Sequence, residues 1–317
     1  MNRIRLFVTA LMLIILVSVS CASPADSPTP ALEPETAVVS PDVPAGVIVL
    51  ADISDEPAKK IERFQPLADY LAANLAEYGI GSSEVKIAPD METMIQWLQN
   101  GEVDLYIDSL YPAMIISGAT GAVPTLRRWK KNVAEYHTVF FTLADSGLSS
   151  TADLNGRLIA FEEPNSTSGY MLPLAYLVEA GLNPVEKASI EAAVAPDEVG
   201  FVFSGDDLNT LQWVVGGTVI AGATDNGNYE ELVAESDVEL MILAETESVA
   251  RNVVLMRGDL DPELVTAVSD LLMGLDETEA GLEILDIFKT AQFDEFPGGT
   301  ENALNRMREL YDLVQNR

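Results

Sequence analysis

From Val47 to Leu243, short apolar runs alternate with stretches whose apolar residues recur at helical spacing. Val47-Ile-Val-Leu-Ala51 is apolar throughout, which suits a strand buried on both faces. Helical spacing follows over 56–78, with Phe64, Leu67, Leu71 and Leu75 on one face. A strand at 85–89, a helix at 91–98 ended by Gly101, a strand at 103–107 and a short helix at 111–117 continue the series. Residues 126–142 alternate as a strand or a hairpin. A second series has strands at 157–162, 199–204, 218–223 and 238–243, separated by helices at 168–180, 207–215 and 228–234. The last part reads as helical, over 261–274, 277–289 and 300–315. Such alternation means strands running parallel, with helices covering the sheet. The expected class is α/β, in two lobes, each a mixed, mostly parallel sheet flanked by helices.

The N-terminus sets this body apart. Met1-Asn-Arg-Ile-Arg5 is basic, Leu6 to Val19 is nearly all apolar, and Ser20-Cys21 follows. The pattern is that of a signal peptide over 1–20, too short to span a membrane comfortably. It resembles a bacterial lipoprotein signal, in which Cys21 is lipidated, although Ser18 stands where leucine is usual. A plain secretory signal is the alternative. Cys21 is the only cysteine, so no intramolecular disulfide is possible. Residues 21–46 carry prolines at 24, 28, 30, 34, 41 and 44 and read as a disordered tether.

The chain has 18 Lys and Arg against 50 Asp and Glu, a balance of −32. Removing the signal takes Arg3 and Arg5 with it and leaves −34. That argues against nucleic-acid binding and against docking on anionic lipid. Any anion site must therefore rest on local donors. Of the basic residues, four sit in Arg127-Arg128-Trp129-Lys130-Lys131. Strand alternation points Arg127, Trp129 and Lys131 one way and Arg128 and Lys130 the other. One set reaches a cleft, or the run is an edge strand protected by charge.

Pro164-Asn-Ser-Thr-Ser-Gly-Tyr170 lies between the strand 157–162 and an apolar helical stretch. A helix N-terminus has free N–H groups and partial positive charge. With Ser166, Thr167 and Ser168 added, the turn suits a small oxyanion. Ordinary capping uses the same residues, though one cap needs only one hydroxyl.

Catalysis has little support. A serine nucleophile needs a base, His137 is the only histidine, and there is no Gly-x-Ser-x-Gly elbow. Zinc ligation has no His/Cys cluster to use, and no cofactor motif is present.

Arg63-Phe-Gln-Pro-Leu-Ala-Asp-Tyr-Leu71, Lys86-Ile-Ala-Pro-Asp90, Gly101-Glu-Val-Asp-Leu-Tyr-Ile-Asp-Ser-Leu-Tyr111 and Asp153-Leu-Asn-Gly-Arg-Leu-Ile-Ala-Phe161 through Tyr170 carry a family resemblance. Over residues 47–290 the chain resembles the phosphate/phosphite/phosphonate-type solute-binding proteins of ABC importers. The resemblance implies a type 2 periplasmic-binding-protein fold, with two lobes joined by crossing strands. Lobe 1 is then 47–143 plus 250–317, and lobe 2 is 144–249. It implies a receptor, not an enzyme, holding a small phosphorus oxyanion in the interlobe cleft. Ser166, Thr167 and Ser168 match the anion turn. Asp225, ending Gly222-Ala-Thr-Asp225, matches a cleft acid that accepts a proton-bearing group. Tyr111 fits an aromatic cleft position, with Tyr106 and Ser109 as further candidates; Arg127 is a candidate from the basic strand, not from the resemblance. The chain departs from the family at Ser204-Gly-Asp-Asp207, where a histidine is expected and Asp206 and Asp207 stand. Asp207 either faces the ligand or belongs to a helix cap. The implied partners are an ABC permease and its ATPase, with the protein a monomer lipid-anchored on the outer face of the cytoplasmic membrane. A tethered sensor for another small oxyanion, outside any transporter, is the alternative.

Overall fold

The computed structural model describes residues 45–235 and 238–317. The signal segment, Cys21 and the tether through residue 44 lie outside the described residues.

The first part runs β1 (Gly46–Ile53), α1 (Pro57–Asn74), β2 (Ile80–Ala88), α2 (Met91–Gln99), β3 (Leu105–Asp108), α3 (Leu110–Thr120) and β4 (Val123–Lys130). A two-residue strand β5 (Glu135–Tyr136) leads to β6 (Thr138–Leu143), β7 (Arg157–Phe161), α4 (Leu172–Glu179), β8 (Pro184–Glu186), β9 (Val199–Phe203), α5 (Asp207–Val215), β10 (Ala221–Asp225), α6 (Asn226–Glu235) and β11 (Leu240–Glu245). The chain then returns through β12 (Val249–Ala250), β13 (Asn252–Met256), α7 (Pro262–Met273), α8 (Glu279–Ile287), β14 (Thr290–Asp294) and α9 (Asn305–Gln315).

The strands form two six-stranded sheets, ordered β14-β4-β13-β3-β1-β2 and β11-β6-β10-β7-β9-β8. In the first, β1 pairs parallel with β2 and β3, while β13 and β14 add antiparallel neighbours. In the second, β7, β8, β9 and β10 run parallel, and β6 lies antiparallel between β10 and β11. β5 and β12 pair with each other where the chain crosses between the sheets.

Three sequence expectations change. The basic run and the strand after it are not a hairpin, because β4 pairs in the first sheet and β6 in the second. A lobe boundary at residue 143 would place β6 on the wrong side for the same reason. The C-terminal part also contains β13 and β14, which complete the first sheet.

Local chemistry explains the helices that matter. Pro57 opens α1, whose Phe64, Leu67 and Leu71 bury against β1 and β2. Asp90 caps α2 by accepting from the Thr93 N–H at 2.8 Å. Gly101 (φ +71°) turns the chain back into β3. One apolar cluster packs α1, α7 and α8 on the first sheet, and another packs α5 and α6 on the second. The largest is shared between the halves, running from Tyr106 and Leu110 to Phe161 and Phe201. Leu310 and Val314 of α9 join it. In open α/β sheets ligands sit beyond the carboxyl ends of the parallel strands. Here β1, β3, β7 and β10 end at the same place.

Candidate functional site: a charged cavity between the two sheets

A cavity of about 530 Å³ opens at these strand ends. Lys60, Asp108, Ser109 and Lys130 line it from the first sheet and its helices, and Glu162, Ser166, Ser168, Asp207 and Asp225 from the second. Lys131, Tyr136 and Arg251 enter from the crossing segments.

The turn after β7 is built as a network. Ser166 N-caps it, its Oγ accepting from the Gly169 N–H at 2.9 Å. The same hydroxyl donates to Glu162 Oε2 at 2.7 Å. Residues Thr167–Met171 form one π-helical turn before α4 begins. Such wide turns occur often at functional sites. Thr167 does not line the cavity: it is buried, and its Oγ1 accepts from the Tyr111 N–H at 2.9 Å. That bond ties the first turn of α3, where helix N–H groups lack intrahelical partners, to the opposite half of the molecule. Ser168 does line the cavity, and its carbonyl accepts from Thr138 Oγ1 at 2.6 Å. Thr167→Val should therefore act mainly on stability. It leaves a buried N–H unpaired at about 1–3 kcal/mol, readable as a lower urea midpoint with an unchanged slope.

Of the other expected residues, Ser109, Asp207 and Asp225 reach the cavity. Ser109 begins α3 without a side-chain cap bond. Tyr106 is fully buried and its hydroxyl donates to Asp108 Oδ2 at 2.8 Å. Tyr111 packs against Tyr170 and Tyr311, with ring centroids 6.3 and 6.1 Å away. Arg127 is held by Asp294 and Glu135. None of these three lines the cavity. The two aspartates at the start of α5 divide the roles proposed for them. Asp206 caps the helix, accepting from the Asn209 N–H at 2.7 Å. Asp207 faces the cavity and accepts from Thr224 and Asn228.

The basic strand contributes differently from either alternating set. Arg128 turns into the protein, donating to Thr290 Oγ1 at 2.7 Å and to the Phe288 carbonyl. Lys130 and Lys131, adjacent in sequence, both line the cavity. Alternation stops there because β4 ends at Lys130 and Lys131 adopts φ +53°. Burial, then the nearby Arg128 charge, pull the Lys130 ammonium down to about 8.

The cations differ in what holds them. Lys60 pairs with buried Asp52, and Lys131 reaches Asn228 Oδ1 at 2.8 Å and Glu231 at 3.2 Å. Arg251 lies against Asp225 at 3.3 and 3.4 Å, both side chains buried, with its guanidinium 4.8 Å from the Tyr136 ring centre. The Lys130 ammonium makes no ion pair or hydrogen bond among the described residues. Arg251 and Lys60 escaped sequence reading. Arg251 stands just before Asn252 and the apolar run Val253-Val-Leu-Met256, a strand signal that would have placed it at a sheet end.

The wall formed by the second sheet carries Glu162, Glu163, Asp207 and Asp225. Burial, and secondarily the Asp207 charge, push Glu162 up to about 8. Burial also raises Asp207 above the usual carboxylate range, with Asp225 adding to it and the Thr224 hydroxyl opposing. A compact group of carboxylates in low dielectric cannot all ionise cheaply.

The family described as "ABC transporter, phosphonate, periplasmic substrate-binding protein" matches residues 51–297. The chain belongs to this family. Its fold agrees with XAC2383 from Xanthomonas citri, solved bound to chloride, at 28% identity and TM-score 0.79, covering 85% of this chain and 98% of that one. The same protein bound to ATP gives 27% identity and TM-score 0.77, covering 85% and 97%. PhnD1 from Prochlorococcus marinus, in complex with methylphosphonate, shares the fold at 19% identity and TM-score 0.64, covering 86% of this chain and 99% of that one. The phosphate-import protein PhnD of Mycolicibacterium smegmatis is 25% identical over 188 residues, 56% of this chain and 57% of the relative's length. The family is one of solute receptors rather than enzymes. Among the described residues, no helix is long and apolar enough to cross a membrane.

Proposed function

We propose that this protein is the extracytoplasmic receptor of an ABC importer and captures a small phosphorus oxyanion in the cavity between its sheets. The observation that carries this reading is Lys130: an ammonium without a protein partner among the described residues, in the same cavity as Ser109, Ser168 and the capped turn. A charge-assisted bond from Lys130, with hydroxyls and helix N–H groups, would replace the water shell of a phosphonyl group. The relatives named for phosphate import, and solved with chloride and with ATP, handle anions. The acidic second-sheet wall adds selectivity. Asp207 and Asp225 disfavour a bare dianion and favour a monoanion, or an aminoalkylphosphonate whose ammonium they accept.

The test is calorimetric titration with phosphate, phosphite, methylphosphonate and 2-aminoethylphosphonate. The ligand carrying a proton or ammonium should bind tightest, and Asp207→Asn should narrow its lead. Tightest binding of a full dianion, unaltered by Asp207→Asn, would remove the wall from recognition.

The partners proposed are a permease and its ATPase, with the receptor a monomer held to the membrane by lipid on Cys21. Cys21→Ser should move the protein from the membrane fraction to the soluble fraction, because thioether attachment needs the thiol. A variant that stays with the membrane would refute lipidation at that residue.

A further inference from the structure

One proton decides what Ser166 can offer an anion. Its Oγ must accept from the Gly169 N–H, since an amide only donates, and it lies 2.7 Å from Glu162 Oε2. A hydroxyl has a single hydrogen to give. When Glu162 is ionised, that hydrogen is held by the carboxylate, and Ser166 shows the cavity only lone pairs. When Glu162 carries a proton, its O–H can donate to the second Ser166 lone pair. The Ser166 hydrogen is then released toward the cavity, where it can bond an oxyanion.

The packing holds this pair together. A methyl group on Gly169 would sit 2.3 Å from Glu162 Oε2 and 2.4 Å from Glu162 Cβ, so the carboxyl lies directly against the turn. The Glu162 N–H donates to the Gly169 carbonyl at 3.0 Å, fixing the same contact from the backbone. Glu162 cannot swing off the turn without breaking it.

We propose that oxyanion capture is coupled to protonation of Glu162, so that wherever this carboxyl is ionised in the free receptor the anion is taken up together with one proton. This rests on the anion-receptor reading above. The charged groups around Glu162 favour it. Glu163 faces it from its own segment, Asp207 from α5 and Asp225 from the end of β10, the last paired with Arg251. Lys131 approaches Asp207 from the crossing segment. Lys60, Lys130 and Asp108 line the cavity from the first sheet. An arriving anion adds negative charge beside a carboxyl already pushed up to about 8, mainly by burial and next by Asp207. Ligand and proton therefore stabilise each other, as linkage requires.

The sign follows. Below the free-state value Glu162 is already protonated, and its contribution to affinity is constant. Above it each bound anion must bring a proton, so affinity falls about tenfold per pH unit until the bound-state value is passed. Phosphate and phosphite are the probes, titrated from about pH 7 to about pH 10 into the wild-type protein and Glu162→Gln. Glutamine keeps a permanent donor toward Ser166. Ligand ionisation and loss of charge on Lys130 act on both proteins, so the difference between them isolates Glu162. The wild type should lose affinity more steeply and, in buffers of different ionisation enthalpy, take up close to one more proton per anion. Infrared difference spectra of the wild type near pH 9 should gain a protonated-carboxyl band on phosphate addition, a readout independent of any variant's folding. Equal proton uptake in both proteins, or no such band, would overturn the coupling while leaving anion capture intact. Failure of the wild type to bind either probe at any pH would remove the receptor reading and the coupling with it.

Discussion

Arg251→Met should destabilise the protein by about 3–5 kcal/mol, the range for removing one partner of a buried ion pair. Arg251 and Asp225 are both buried, and the guanidinium also lies over Tyr136. Methionine fills part of the volume but leaves Asp225 buried beside Asp207 and Glu162. Among the described residues, the one hydrogen bond then left to its carboxylate comes from the Asn228 N–H at 3.0 Å. Both Arg251 and Tyr136 sit on or beside the crossing strands, so the loss falls where the halves join. Urea unfolding measures it, and Arg251→Met with Asp225→Asn should recover much of the loss because the unpaired charge is gone. A single variant within about 1 kcal/mol of wild type would show that the pair carries little net energy.

Gly169→Ala should be nearly as damaging, and it should act on binding as well. Overpacking a tight site typically costs about 1–3 kcal/mol. Here the added carbon would meet Glu162 Cβ, which cannot retreat as a flexible side-chain tip can. Relief requires moving β7 away from the turn, which separates Ser166 from Glu162 and shifts the Ser168 carbonyl from Thr138. Loss of phosphate affinity together with a lower unfolding midpoint is expected. Wild-type values for both would show that the turn tolerates expansion.

What the sequence showed and what it hid have physical causes. The buried parallel strands announced themselves because both faces are apolar, as in Val47-Ile-Val-Leu-Ala51 and Leu158-Ile-Ala-Phe161. The hydroxyl turn was legible for the same local reason: strand, small residues and helix follow directly in the chain. Its internal wiring was not. Nothing in Ser-Thr-Ser tells which hydroxyl caps Gly169, which meets Tyr111 N–H 56 residues away, and which is left to the cavity. β14 was hidden between two helical stretches, and the short run of β13 was passed over, and with it Arg251 at the entry to the first sheet. The basic run was found, but strand alternation could not foresee that Lys130 and Lys131 share a destination because the strand stops between them. Asp206 and Asp207 look alike in sequence. Only the helix start separates a cap from a cavity wall.

Capture of a phosphorus oxyanion is tested most directly by releasing whatever the protein holds after purification, by denaturation, and identifying it by mass spectrometry. The expected species is a small phosphonate, phosphite or phosphate, close to one per chain, and absent from a Lys130→Met preparation. A phosphorus-free compound recovered in that ratio, and retained by Lys130→Met, would contradict it.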